Sequence, residues 1–137
     1  MAETTKDELT QQMPSPLGEA NEAYAQFFTG QSYLASLVAD KDLPVSVANV
    51  SFEPGCRNHW HAHAGGYQIL LVTAGEGWYQ EEDKPARRLQ KGDVVVAHDG
   101  VKHLHGAAKN SWFSHIAITA GQAEWYEPVT DEEYDSL

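Results

Sequence analysis

Cysteine is almost missing from this chain, with Cys56 its one thiol. An intrachain disulfide is therefore excluded, and a small buried residue is the simplest expectation for a lone cysteine. Positive charge is scarce too. Nine Lys and Arg stand against 20 Asp and Glu, for a formal net charge of −11. Nucleic acid and anionic membrane surfaces select for basic patches, so neither is an expected partner. No Lys or Arg follows Lys109, and Glu124, Glu127, Asp131, Glu132, Glu133 and Asp135 read as a solvated acidic tail. No apolar run approaches the roughly 18–20 residues of a membrane-spanning helix. The first residues, MAETTKDELTQQ, lack the basic and then apolar pattern of a secretion signal. The cytoplasm is the expected location. Histidine, finally, is missing from both flanks: all seven lie between His59 and His115.

What remains is one domain's worth of chain, 137 residues of which 42% are hydrophobic. Residues 1–20 are polar, hold Pro14 and Pro16 and show no clean period. They read as a flexible arm with one short helix around Lys6–Met13. Residues 21–137 read as a single domain. Asn21–Thr29 suits a helical turn anchored by Phe27 and Phe28. Beyond it the pattern is β throughout, with strands expected at Ser32–Val38, Val45–Phe52, Asn58–Ala62, Tyr67–Thr73, Trp78–Gln80, Ala86–Gln90, Val94–Ala97, Lys102–Gly106 and Trp112–Thr119. Turn signals such as Glu53-Pro54-Gly55, Gly65-Gly66 and Lys91-Gly92-Asp93 separate them. A short helix closes the chain at Asp131–Leu137. Many short strands with turns every eight to twelve residues predict an all-β barrel or sandwich.

The histidines carry the chemistry. His59, His61 and His63 stand at alternate positions, and His103 and His105 repeat that spacing. Alternate residues of a strand share a face, so each pair can look into one cavity. A turn at Gly65-Gly66 is expected to bring Gln68 round to the same side. Two such pairs with an amide nearby make a plausible set of donors for a divalent metal.

The spacing Gly55, five residues, His61, one residue, His63, four residues, Gln68, six residues, Gly75 resembles the first motif of the cupin superfamily, G-x5-H-x-H-x3,4-E-x6-G. Gly92, Gly100 and His103 match the second motif, where His98 stands in place of proline and Ala107 in place of asparagine. The resemblance implies an all-β cupin double-stranded β-helix, or jelly-roll, with His61, His63, Gln68 and His103 as metal ligands. Gln68 replaces the usual glutamate. A neutral amide leaves the full charge on the metal, which favours Lewis-acid chemistry over oxygen chemistry.

A finer likeness points the same way. His61-Ala-His63 with Gln68, then ILLVTAGEGWYQ, GDVV, KHLHGAA and SHIAI, is similar to small cupins that include manganese-dependent hydroxynitrile lyases and carboxymuconolactone-decarboxylase-associated cupins. This implies manganese as cofactor, with Fe, Zn, Ni or Co also suited to the donors. It implies catalytic roles for His105 and His115 in proton transfer to and from a cyanohydrin. Parity agrees, because His105 shares a face with His103, and His115 with Phe113 and Ala117. Ala48 and Val50 resemble pocket-wall positions, and His59 stands where the lyases carry a small residue. A homodimer or homotetramer and a small-molecule substrate are implied as well. Arg57 reads either as an anion holder or as half of a surface ion pair. Other readings stay open: a sugar-acid isomerase or a dioxygenase on the same scaffold, or a metal-stabilised module that binds a small ligand without turnover.

Overall fold

The computed structural model describes residues 4–137. Helix α1 (Lys6–Gln12) is followed by the short strand β1 (Glu19–Ala20), a 3-10 turn (Ala25–Phe27), β2 (Phe28–Thr29), β3 (Ser32–Ser36), β4 (Ser46–Phe52) and β5 (Arg57–Asn58). Then come β6 (His61–Glu81), β7 (Arg87–Gln90), β8 (Val94–Ala97), β9 (His103–Ala107), β10 (Phe113–Trp125) and helix α2 (Asp131–Asp135). The fold is all-β. The strands form one curled sheet in the order β1-β3-β4-β10-β6-β9-β5-β2, with β7 and β8 also paired to β6. Among the described residues no helix is long and apolar enough to cross a membrane.

The main departure from the expected strands lies in β6. Three segments expected to be separate are one 21-residue strand. Gly65-Gly66 makes no turn within it. Against β10, Ala64 faces Gln122 and Tyr67 faces Ala120, so Gly65 and Gly66 together oppose Gly121. This is a β-bulge, and it inserts one residue into the alternation. In a regular strand His63 and Gln68, five positions apart, would point to opposite faces. The extra residue restores them to the same one, and all of His61, His63 and Gln68 are buried. Gly65 and Gly121 have φ of 76° and 87°, a region that suits glycine.

The curl comes from the length of β6. His103 in β9 stands opposite both His61, at the start of β6, and Glu81, at its end. Inside the curl, Phe52, Leu70, Leu89 and Phe113 are completely buried and form the apolar core with Val72 and Val95. Each such side chain contributes about 1.5–3 kcal/mol on burial.

Residues 4–20, expected to be part of a loose arm, are tied to the barrel. Leu9 is fully buried, the Trp112 N–H donates to the Thr4 carbonyl at 2.9 Å, and β1 pairs with β3 through Glu19–Leu34 and Ala20–Tyr33. A capping box between Thr5 and Glu8 starts α1. Leu9 is the only buried residue of that helix, too little to show as a period in the sequence. Residues 1–3 of the expected arm lie outside the described residues. At the other end α2 docks through Tyr134 onto Leu104 and Val129, and its acidic side chains face out.

Candidate metal centre

The donor cluster is built by three strands. β6 brings His61, His63 and Gln68, β9 brings His103 and His105, and β10 brings His115. The ring nitrogens of His61, His103 and His105 lie within 4.8 Å of one another. His63 stands beside them, with ring centroids 5.2 Å from His61 and 5.5 Å from His103. Gln68 Oε1 sits between the two halves of the cluster, 3.2 Å from His103 Nε2 and 3.2 Å from His105 Nε2.

Backbone carbonyls aim two of the rings. His61 Nδ1 donates to the His59 carbonyl at 2.9 Å, and His103 Nδ1 donates to the Val101 carbonyl at 2.9 Å. Each bond spans two residues, and each leaves Nε2 with its lone pair turned inward, as a metal-ligating imidazole requires. Gln68 is aimed in the same way, because its Nε2 donates to Thr119 Oγ1 at 3.0 Å and its carbonyl oxygen is left for the cluster.

Burial keeps these imidazoles neutral. It pushes His61 and His105 well below the usual histidine range, assisted by the neighbouring His103 and His115 respectively. It lowers His63 as well, and brings His103 down to about 4 and His115 to about 3. Neutral rings have lone pairs to give.

Two observations say that a cation fits here. His103 Nε2 and Gln68 Oε1 are both acceptors, yet they face each other at 3.2 Å. A cation between them turns that repulsion into two bonds. In addition His63 is 3% exposed, and neither of its ring nitrogens has a hydrogen-bond partner. A buried polar atom without a partner is expensive, and such atoms mark unfilled ligand positions. Three imidazoles and an amide oxygen suit a divalent transition metal. His61, His63, Gln68 and His103 would hold it. His105 competes with His63 for a place among the nitrogen donors.

His105 and His115 form a pair. His115 Nε2 lies 3.0 Å from His105 Nδ1, with ring centroids 4.8 Å apart. The pair borders a cavity of about 280 Å³ that reaches the donor cluster. Phe28, Leu34, Ala48, Val50 and Ala117 give this cavity an apolar wall, and no Lys or Arg lines it. Ala48 and Val50, on β4, line this cavity beside their register partners Ala117 and His115 on β10.

One expectation needs correction. The His59 side chain does not line the cavity; its ring packs edge-on against Phe27, with centroids 6.5 Å apart. Its part in the site is its carbonyl, which orients His61. Of the two readings of Arg57, the ion pair is the one observed, and the residue does not line the cavity. It is buried, its Nε and Nη2 donate to the Val129 carbonyl, and Nη2 pairs with Asp131 at 2.6 Å, so it ties α2 to the barrel. Cys56 is buried as expected, and burial, with Glu53 nearby, pushes its thiol up to about 12, far from a nucleophile's range.

Sequence reasoning missed three residues. Thr119 orients Gln68; it sits directly opposite in the register, which only the pairing of β6 with β10 shows. Trp125 covers His61, with centroids 4.8 Å apart, and stacks on Phe27 at 4.4 Å. Asn58 contacts His105 through both its backbone and its ring. Asn58 carried no signal in the sequence, where it only opens an expected strand and its partner His105 lies 47 residues away.

The cupin domain family matches residues 48–126. A protein of Granulicella tundricola named (R)-mandelonitrile lyase is 44% identical over 115 residues, which cover 80% of this chain and 87% of that one. The crystal structure of a cupin-like protein from Thermotoga maritima superposes with a TM-score of 0.84 at 45% identity, over 90% of this chain and 95% of that one. An auxin-binding protein of Prunus persica is 29% identical over 77 residues, 53% of this chain and 37% of that one. The chain belongs to the cupin family.

Proposed function

We propose that this cupin is a metal-dependent lyase that cleaves, and in reverse forms, cyanohydrins. The observation that carries the reading is the His105–His115 pair, in contact at 3.0 Å beside the donor cluster in an apolar cavity without cationic residues. The relative named (R)-mandelonitrile lyase supports the same chemistry. His61, His63, Gln68 and His103 are the proposed ligands, and manganese is the proposed metal. A divalent ion held there supplies Lewis acidity toward a hydroxyl oxygen.

The chain's own groups then handle the protons. One imidazole of the pair accepts the hydroxyl proton of the cyanohydrin. The bond to the nitrile carbon breaks, and its electron pair leaves on cyanide. The N–H of the other imidazole delivers a proton to that cyanide, so the products are an aldehyde and hydrogen cyanide. The 3.0 Å contact lets a proton pass between the rings and returns both to the neutral state. Burial keeps both rings neutral at rest, so one has a lone pair to accept the proton and the other an N–H to give. The apolar wall suits an uncharged substrate. A sugar acid would need a cation for its carboxylate, and Arg57 is committed to Val129 and Asp131. In this reading the protein acts in the cytoplasm as a homodimer or homotetramer on a small-molecule substrate.

The test is cyanide release from (R)-mandelonitrile by chain loaded in turn with Mn, Fe, Co, Ni and Zn. Release above background with metal, lost on stripping and restored on reloading, is expected. No release with any metal overturns the lyase reading. The relative named an auxin-binding protein supports a second reading, a cupin that binds a small ligand without turnover. Unchanged ligand affinity in His105→Ala and His115→Ala, with no turnover in either form, would favour it.

A further inference from the structure

We propose that Asn21 makes the cavity selective for a ligand with a hydroxyl group at its end remote from the donor cluster. For a cyanohydrin lyase that ligand is a cyanohydrin with a hydroxylated aromatic ring. This substrate class rests on the lyase reading and narrows it.

Asn21 follows β1, the first strand in the sheet order, and the chain from Asn21 to Phe27 joins it to β2, the last. This segment therefore bridges the seam of the curled sheet. The Asn21 backbone N–H donates to the Ser32 carbonyl at 2.9 Å, which continues the pairing of β1 with β3. Ser32 is on the inner face, since its register partner is the core residue Phe52. Asn21 Nδ2 lies 3.2 Å from Ser32 Oγ, so the amide also turns inward, and it lines the cavity. Counted along the sheet, β1 is three strands from β10 with His115. Counted across the seam, through β2 and β5, it is three from β9 with His105. At roughly 4.8 Å per strand either path is about 14 Å. Asn21 thus stands across the cavity from the histidine pair, with Leu34 and Val50 on one path and Phe28 on the other.

Burial sets Asn21 apart, because it is only 6% exposed. Among the described residues, every other buried polar side chain that lines the cavity belongs to the histidine cluster or, as Asn58 does, hydrogen-bonds to it. The Asn21 amide is bonded to Ser32 alone. An amide has two polar ends, and Ser32 takes one. A buried amide satisfied at one end costs stability, which an apolar residue would avoid while completing the wall. The other end is reached from the cavity, unlike the sealed nitrogens of His63 and His115. Ser32 Oγ can accept from the amide NH₂ or donate to its carbonyl. The cavity accordingly meets a carbonyl in one orientation of the amide and an NH₂ in the other. A hydroxyl group answers both, since it donates and accepts. A carboxylate answers only one, and it would enter a cavity with no Lys or Arg to neutralise it.

Cyanide release from meta- and para-hydroxymandelonitrile, set against mandelonitrile itself, tests this in the metal-loaded full chain. One of the two isomers is expected to have a kcat/KM about tenfold above the parent compound, the weight of one hydrogen bond, with the gain in KM. Asn21→Leu removes the amide at similar size and should bring that ratio to within about twofold of one. Asn21→Ala serves if Asn21→Leu does not fold. A residue that only tied β1 to β3 would lower both rates alike and leave the ratio where it was. Equal kcat/KM for all three compounds in the wild type overturns the proposal, and so does a preference that survives in the variants. Calorimetric binding of benzaldehyde and its meta- and para-hydroxy forms separates this outcome from the lyase reading. A hydroxyl preference that Asn21→Leu abolishes, in a chain that releases no cyanide, would sink the lyase reading and leave the role of Asn21 standing. Cyanide release without any such preference would do the reverse.

Discussion

β10 sends Ser114 to its outer face and His115 to its inner one, and the buried polar clusters that these two residues join differ in one respect. On the outer face, Asn49, Ser51 and Ser114 are all fully buried and close a ring of hydrogen bonds. Asn49 Nδ2 donates to Ser51 Oγ, Ser51 Oγ to Ser114 Oγ, and Ser114 Oγ to Asn49 Oδ1, at 3.1, 3.0 and 3.2 Å. The Met13 sulfur closes over Ser51 at 3.8 Å. On the inner face the histidine cluster is left open. The side-chain atoms without a partner, among the described residues, are two nitrogens of His63 and one of His115. Both clusters are equally hidden from water. A closed ring needs nothing more and reads as structure, whereas an open cluster is shaped for something that completes it.

The strongest way to break this contrast is to remove a donor. His103→Ala should lower metal affinity by more than about a hundredfold, beyond the range of residues that only orient ligands, and abolish cyanide release. Metal analysis after dialysis and the rise in melting temperature on adding Mn would both report it. If the variant still binds metal like the wild type, the open cluster is not the site.

Acid should act next most strongly, and on the inner face only. An unfolded imidazole takes up its proton near pH 6.5. In the fold His103 resists to about 4 and His115 to about 3. Between these limits the unfolded chain binds more protons, so the metal-free protein should lose stability as pH falls from about 6.5 toward 4. Urea midpoints at pH 7.5 and 5 measure this, and equal midpoints would contradict neutral buried rings.

Thr119→Val takes away the acceptor that aims Gln68. Metal affinity should fall by roughly 10–100-fold, the range for outer-shell partners, with little change in folding. Ser114→Val opens the outer ring instead. It should destabilise the fold by about 1–3 kcal/mol, since Asn49 and Ser51 lose partners, and should leave metal content untouched. A swap of these two outcomes would erase the contrast between the faces. The smallest effect belongs to Asp131→Asn. Its side chain is 82% exposed, and loss of its pair with Arg57 should change stability by only about 0.5 kcal/mol.

These residues also show what could be read before the fold was known. His61, His63, His103, His105 and His115 were legible because parity on a strand depends on nearest neighbours alone. So was the all-β class. Gln68 was placed on the right face for the wrong reason. The glycine pair looked like a turn, yet the parity change comes from a bulge that exists only against Gly121 of another strand. The docking of α1 was hidden because Leu9 alone is buried in it. The burial of Arg57 and the contact made by Asn58 were missed for a common reason: their partners, Val129 and His105, lie 72 and 47 residues away. Nothing local marks a contact of that span.

The 21-residue strand β6 has a further consequence for the order of events as the chain folds. Its two ends meet at His103, and its centre is closed by β10. No stretch of sequence that is compact by itself therefore contains the donor set. His61 and His63 emerge early in synthesis, but the carbonyl that fixes His103 and the hydroxyl that fixes Gln68 follow about 40 and nearly 60 residues later, and such distant pairings form slowly. Until then a metal ion meets only a flexible pair of imidazoles. A metal held by this donor set would be loaded only after the barrel has closed, and its uptake would then report completed folding and would not nucleate it.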